Sequence, residues 1–309
     1  MLREPAMSPD ILIVNFRSAQ LIGRTVAVAR EFAGEEARLI VVDNSPGDGS
    51  SEIVRSASPG ATVITNPVNR GFAAAVNQAF AVAETDVIFL LNPDVQRISG
   101  SYAEVADAFR DRRVAAVAAR LINADGTEQP NCFRAPRPFD LLAENMALAE
   151  RFPNWRRPRR FRMQEWDGRN PRRIDWAAGA CLFLRRAAFA DVGPFDERFF
   201  VYYEETDWLI RAKRRGWRTL FLPTVEATHA SEGSSPGART QPSLLLLESQ
   251  HRYARKHYGP VAATILRATL LGIDTARLVR HGLGGHDDKR ADAVDRIRIH
   301  LTMRAPRPS

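Results

Sequence analysis

The first 95 residues constrain the architecture more than any other stretch. Four short, essentially apolar runs at Ile11–Phe16, Arg38–Asp43, Ala61–Thr65 and Val87–Leu91 are separated by helical patterns at Ala19–Phe32, Ser51–Ser56 and Gly71–Ala83. Apolar runs without alternation belong to strands covered on both faces. Strands that alternate with helices over short connections imply right-handed crossovers and a mainly parallel sheet. The chain is therefore expected to be an α/β protein. In such sheets ligands bind beyond the carboxyl ends of the strands. Those ends carry Asn15, Asp43 with Asn44, and the turn Asn92-Pro93-Asp94. No Gly-x-Gly-x-x-Gly or Walker sequence follows any of these runs, which disfavours a dinucleotide dehydrogenase and a P-loop nucleotidase.

Regularity weakens beyond this block. Residues 120–173 are rich in Pro, Arg and aromatic residues and read as a long loop-rich excursion, a candidate lid. Periodic segments return at Ile174–Arg185 and at Glu204–Arg215. A flexible connection is expected at Ser231–Pro242, then helices at Ser243–Tyr258 and Val261–Arg280. With 45% hydrophobic and 26% charged residues among 309, wholesale disorder is excluded. No apolar run approaches the ~20 residues of a membrane-spanning helix. Met1–Asp10 lacks the apolar core of a signal peptide, so a cytoplasmic location is expected. The two cysteines, Cys132 and Cys181, have no metal-type spacing.

Charge is distributed unevenly. The formal net charge is +8, yet residues 151–173 hold nine Arg against Glu165 and Asp167, and residues 239–309 hold thirteen Lys and Arg against six acids. A mildly acidic body thus carries two basic segments. They suit an anionic surface, phospholipid or nucleic acid, or are simply solvated. Neither contains a recognised nucleic-acid motif, so no nucleic-acid partner is expected.

Several groups could carry chemistry. Asp94 stands in a tight turn after a buried strand, where a carboxylate can hold a hard cation while a phosphorylated ligand supplies further oxygens; the same sequence is also ordinary turn chemistry. Asn69-Arg70-Gly71 opens a helix, and a helix N-terminus beside Arg suits a diphosphate. Glu204, Glu205 and Asp207 follow the aromatic run Phe199–Tyr203. Crowded carboxylates can raise a pKa and poise a general base, or merely favour a helix dipole. His229 precedes a Gly/Ser stretch and is either a metal ligand or structural.

Taken together these segments resemble the inverting glycosyltransferases of family 2, which have the GT-A fold. Within it the chain looks like the bacterial rhamnosyltransferases that build cell-wall linkers and polysaccharides. The resemblance rests on ILIVNFRS at Ile11–Ser18, on VVDNSPGDGS and NRGFAAAVNQA within Val41–Ala79, and on FLLNPDV at Phe89–Val95. It continues through WAAGACLFLRR and VGPFDERFFVYYEETDWLIRAKRRGW within Trp176–Trp217, and THASEGSS at Thr228–Ser235. It implies a GT-A, Rossmann-like domain over residues 1–238, with a donor half near 10–119 and an acceptor half near 174–238. Residues 239–309 would form a basic helical C-terminal extension.

By the same resemblance, Asp43 contacts the nucleotide base or ribose with Asn15 nearby, and Arg70 lies near the nucleotide. Asp94 is the last acid of a DXD-like metal motif whose first position is Asn92, placing Mg²⁺ or Mn²⁺ on Asp94 and His229. Trp176 and Gly179 match the acceptor-side wall. Glu204-Glu205 matches a Glu-Asp pair whose second member is the catalytic base. The Glu at that second position is a departure that leaves Asp207 as the rival to Glu205. The implied substrates are a nucleotide-diphosphate sugar, with dTDP-rhamnose preferred over a UDP-sugar or GDP-mannose, and a lipid-linked or polysaccharide acceptor met at the inner face of the plasma membrane. A non-catalytic carbohydrate-binding homologue is the alternative, disfavoured by the intact acids.

Overall fold

The computed structural model describes residues 8–230, 240–284, 286–304 and 307. The donor half runs β1 (Asp10–Asn15), α1 (Ala19–Ala33), β2 (Leu39–Asp43), α2 (Ser50–Ala57), β3 (Thr62–Thr65), α3 (Phe72–Val82) and β4 (Val87–Leu91). It continues through β5 (Val95–Ser99), α4 (Tyr102–Ala108) and β6 (Val114–Ile122). The excursion is not structureless. It holds β7 (Glu128–Gln129), β8 (Cys132–Phe133), α5 (Pro138–Asn145), α6 (Leu148–Arg151) and α7 (Arg156–Phe161). Then come β9 (Arg172–Ile174), β10 (Trp176–Ala177), β11 (Cys181–Arg185), α8 (Arg186–Val192), α9 (Glu204–Arg214), β12 (Arg218–His229), α10 (Thr240–Leu283) and α11 (Asp287–Thr302).

The main sheet has the order β3-β2-β1-β4-β11-β6-β12-β5. Its first four strands are all parallel, with Asn15 opposite Asp43 in register. β11 then enters antiparallel between β4 and β6, and β6 pairs parallel with β12. This is the expected α/β architecture. Because side chains alternate across a strand, Leu12 and Val14 face one core while Ile11 and Ile13 face the other. The Ala-rich α3 lets its backbone approach the first of these layers closely, and α9 and α10 contribute Leu209, Leu244 and Tyr253 to the same core. The second layer is closed by α1 and α4 through Ile22, Val26 and Val105.

α10 contains a break at Gly259, whose φ is 81°, followed by Pro260. Proline removes an N–H and clashes with the preceding turn, and the non-helical Gly259 before it divides α10 into the two helices expected at Ser243–Tyr258 and Val261–Arg280. Helix already begins at Thr240, inside the connection expected at Ser231–Pro242; residues 231–239 of that connection lie outside the described residues. Both cysteines are buried and free, and burial pushes both thiols up. Among the described residues no helix is long and apolar enough to cross a membrane.

Candidate active site

The carboxyl ends of β1 and β2 form a buried polar floor. Asn15 Nδ2 donates to Asp43 Oδ1 at 3.0 Å and to Ser45 Oγ at 3.1 Å. Asp43 also accepts from the Ser45 N–H at 3.0 Å and the Ser51 hydroxyl at 2.6 Å. Burial alone would raise its pKa, but these donors outweigh that and hold the carboxyl below its ordinary value. Asn15, Asp43 and Asn44 are all buried. Asn44 ties this floor to the next element, accepting from Asn66 Nδ2 at 2.8 Å and donating to the Gly71 carbonyl at 3.2 Å.

Gly71 brings the start of α3 against the segment that precedes α9. Its φ is +86°, and a Cβ there would lie 2.5 Å from the Phe200 carbonyl oxygen, so no side chain fits. The Gly71 N–H donates to Asn69 Oδ1 at 2.9 Å, and the Phe72 N–H donates to the Phe200 carbonyl at 2.7 Å. Two of the amides expected to meet a diphosphate are thus satisfied by the protein itself. Arg70, beside them, is exposed.

The Asn92-Pro93-Asp94 turn is held from both sides. The Asn92 N–H donates to the Ala180 carbonyl at 2.9 Å, and the Ala230 N–H donates to the Asp94 carbonyl at 3.1 Å. β12 delivers His229 with Nε2 3.1 Å from Asp94 Oδ1 and 3.3 Å from Asn92 Nδ2. The excursion supplies Gln129, whose Oε1 is 3.1 Å from His229 Nδ1. Asp94 Oδ1 is buried and has no hydrogen-bond partner, although the His229 imidazole lies 3.1 Å away. Among the described residues no cluster of three or more His, Cys, Asp or Glu could hold a metal. The protein therefore offers two ligands, an orphaned carboxylate oxygen and an imidazole nitrogen. That suits a cation which takes its remaining oxygens from substrate phosphates and water.

The second half of the site is the start of α9. Tyr202 and Tyr203 both have φ near +67°, a left-handed conformation that is costly for side chains of this size. That double turn projects Glu204, Glu205 and Thr206 from a helix N-terminus. Glu204 Oε2, Glu205 Oε2 and Thr206 Oγ1 are all buried without a hydrogen-bond partner. Burial pushes the Glu205 carboxyl up to about 7, against donors that include the Gly179 and Thr206 amides. Burial, then the neighbouring charge of Glu205, pushes Glu204 up as well. Gly179 lies against Glu205, since a Cβ there would be 3.6 Å from its Cγ. The wall beside them is Trp176, which stacks on Phe133 at 4.3 Å, packs on Tyr203 at 6.2 Å and donates Nε1–H to the Arg134 carbonyl at 2.9 Å.

Asp207 points elsewhere. Its side chain is fully buried. Oδ2 accepts from Arg211 Nε and Lys256 Nζ, each at 2.8 Å, and Oδ1 lies 2.8 Å from His257 Nε2. Burial would raise its pKa, but His257, Lys256 and Arg211 prevail and hold the carboxyl low. An ionised, saturated carboxylate with no access to solvent joins α9 to α10. Sequence reasoning missed Lys256, His257 and Gln129, because no short-range pattern links them to Asp207 or His229.

The comparisons with known proteins agree with this architecture. Residues 10–193 match the model for glycosyl transferase family 2. The chain is 30% identical over 252 residues, 76% of its length and 80% of the relative's, to the Mycobacterium tuberculosis N-acetylglucosaminyl-diphospho-decaprenol L-rhamnosyltransferase. It is 25% identical over 229 residues, 71% of its length and 66% of the relative's, to the low-salt glycan biosynthesis hexosyltransferase Agl10 of Haloferax volcanii. A mannosyltransferase from Pyrobaculum calidifontis, solved with GDP-Man and Mn²⁺, superposes with a TM-score of 0.56 at 15% identity, over 96% of this chain and 89% of that one. By sequence match and by fold, the chain belongs to glycosyl transferase family 2 and is a glycosyltransferase.

Proposed function

We propose that the enzyme transfers a sugar, best read as rhamnose from dTDP-rhamnose, onto a lipid-linked glycan acceptor with inversion at the anomeric carbon. The observation that carries this reading is the set of buried, unpartnered oxygens on Glu204, Glu205 and Thr206, beside a carboxyl pushed up to about 7. Buried polar atoms are nearly always paired. Three orphans at one helix start await the hydroxyls of a ligand. Glu205 takes the proton of the attacking acceptor hydroxyl, at a pKa suited to a base working near neutrality. Glu204 and Thr206 position the sugars. Trp176 and Gly179 form the acceptor wall, and Gly179 orients Glu205 through its amide. Asn15, Asp43 and Asn44 hold the floor under the nucleotide, Asn69 and Gly71 set the helix start, and Arg70 faces the diphosphate. Asp94, with Asn92 and His229, would hold Mg²⁺ or Mn²⁺; when bound there the ion stabilises negative charge growing on the leaving diphosphate. A single displacement needs no covalent sugar–enzyme intermediate, and Asp207 positions α9 without touching substrate.

Support for a lipid-linked acceptor comes from the mycobacterial relative, named for an N-acetylglucosaminyl-diphospho-decaprenol acceptor, and from α10. Val261 (73%), Ile265 (62%), Val279 (58%) and Leu283 (87%) are exposed on that helix, flanked by the basic tail. Such a face suits peripheral contact with an anionic membrane surface at the cytoplasmic side. The test is a donor panel of dTDP-rhamnose, UDP-sugars and GDP-mannose with Mg²⁺ or Mn²⁺, scoring released nucleotide with and without a lipid-linked acceptor. Acceptor-dependent release from dTDP-rhamnose is expected. Release from another donor alone would overturn the sugar assignment, and release unaffected by acceptor would overturn the lipid-linked one.

A further inference from the structure

A cavity of about 1030 Å³ lies outside the residues assigned above, between α5, α7 and the C-terminal end of α9. Its lining holds six cationic side chains against three carboxylates. Two of those carboxylates are neutralised locally: Lys213 Nζ is 2.6 Å from Asp175 Oδ1, and Arg156 Nε is 3.7 Å from Glu165 Oε1. Among the described residues Arg134, Arg137, Arg157 and Arg160 form no ion pair. Arg134 Nε is buried without a hydrogen-bond partner, and the Arg157 guanidinium lies over the Phe139 ring at 4.0 Å. The third carboxylate, Asp140, is buried and accepts from the Arg137 N–H at 2.9 Å; burial raises its pKa above the ordinary value, against the pull of these arginines. Four guanidinium groups without an ion pair line this one cavity, and forked, charged donors of that kind are what a phosphate-type anion takes.

The cavity lies between two features of the proposed reaction. On one side its wall is Arg134, whose carbonyl accepts from Trp176, and Trp176 packs on Tyr203 immediately before Glu204. On the other side the Tyr258 hydroxyl donates to the Pro136 carbonyl at 2.7 Å, tying the cavity rim to α10 just before its kink. The exposed apolar face of α10 begins three residues later, at Val261.

We propose that this cavity binds the diphosphate of the lipid-linked acceptor, with the acceptor sugar toward Trp176 and Glu205 and the lipid toward the apolar face of α10. This rests on the acceptor reading above and adds the group that recognises it. The cations of the excursion are then a substrate site, not a solvated surface.

The test uses the full chain and inorganic pyrophosphate, titrated calorimetrically in EDTA, which removes the divalent ion that donor binding requires. The wild type should bind pyrophosphate. Arg157→Gln/Arg160→Gln should weaken it by about tenfold or more, since hydrogen bonds to charged groups are the strong ones. A control, Arg110→Gln/Arg112→Gln, removes the same charge elsewhere and should bind as the wild type does. Arg160→Gln alone, at an exposed position, serves if the double variant does not fold. In turnover the double variant should raise KM for the lipid-linked acceptor by a similar factor while kcat and the donor KM stay unchanged. Equal pyrophosphate affinity in variant and wild type would overturn the proposal. So would an absence of wild-type affinity for pyrophosphate together with binding to phosphatidylglycerol vesicles that Arg157→Gln/Arg160→Gln abolishes, which would assign the cavity to a phospholipid headgroup. Because donor turnover is scored separately, failure of the enzyme reading would appear there and leave the pyrophosphate result interpretable.

Discussion

Asp207→Asn separates a structural carboxylate from a catalytic one. In the wild type the carboxylate sits fully buried among Arg211, Lys256 and His257, at 2.7–2.8 Å from each. Removing the charge takes the carboxylate partner from Arg211 and leaves Lys256 with Asp196 alone, at 2.7 Å. Breaking a buried ion pair from one side costs about 3–5 kcal/mol. With an unfolding entropy of about 2.1 cal/mol/K per residue, a chain of this length should lose roughly 5–8 °C in Tm. The pH dependence follows from the sign of the shift. The folded carboxyl is held below its ordinary value. Its contribution is therefore complete at neutral pH and is lost as pH falls through that lowered folded value. The difference in Tm between wild type and variant should be full at pH 7 and shrink in acid. The assay is thermal unfolding from pH 3 to 8, beside turnover at a temperature where both proteins are folded. The Asn variant should keep turnover within about tenfold, well short of what a lost base costs. An unchanged Tm with turnover abolished and donor binding intact would refute the reasoning and make Asp207 the base.

Three further outcomes follow from the same geometry. Gly71→Ala forces a Cβ to 2.5 Å from the Phe200 carbonyl at a φ of +86°, so it should destabilise by roughly 1–3 kcal/mol or more and raise the donor KM; a neutral result in thermal unfolding would refute the close packing of Gly71 on Phe200. Asp94→Asn should abolish divalent-dependent donor binding and most turnover, with His229→Ala a milder loss of the same kind, while full activity of Asp94→Asn, or of the wild type in EDTA, would exclude the metal assignment. In flotation assays the protein should rise with anionic vesicles at low salt but not with neutral ones, since each basic residue near such a surface contributes only about 1 kcal/mol; equal behaviour on both would leave α10 as packing alone.

The first four strands are readable to within a residue, because β1, β2 and β4 are buried throughout and largely apolar and turn residues bound all four, although β3, at the sheet edge, is only partly buried. β6 was not readable. Its sequence, VAAVAARLI, is dominated by alanine, which carries little β signal. α11 was missed because a helix with half its residues charged shows only Ala293, Arg296, Ile299 and His300 to the interior. At the site, three acids in the first turn of α9 announced a special helix start, but spacing alone did not say which one faces the cleft. At 100° per residue, Glu205 and Asp207 project about 200° apart. What separates them is α10, which brings Lys256 and His257 onto Asp207 from about fifty positions away. Likewise the Gln129 contact to His229 depends on the path of the excursion, which local pattern does not encode.

The central claim is that Glu205 is the proton acceptor, and the pH profile of kcat in Glu205→Gln tests it most directly. The wild-type carboxyl, pushed up by burial to about 7, must be ionised to act, so wild-type kcat should climb with pH through about 7 and level off above it. Glutamine keeps the size of the side chain but cannot take a proton. At pH 8 the variant should lose about 10²–10⁴-fold in kcat, bind nucleotide sugar and metal normally, and show a flat profile across that range. A Glu205→Gln enzyme that turns over at the wild-type rate, with the wild-type rise in kcat through neutral pH, would contradict the account.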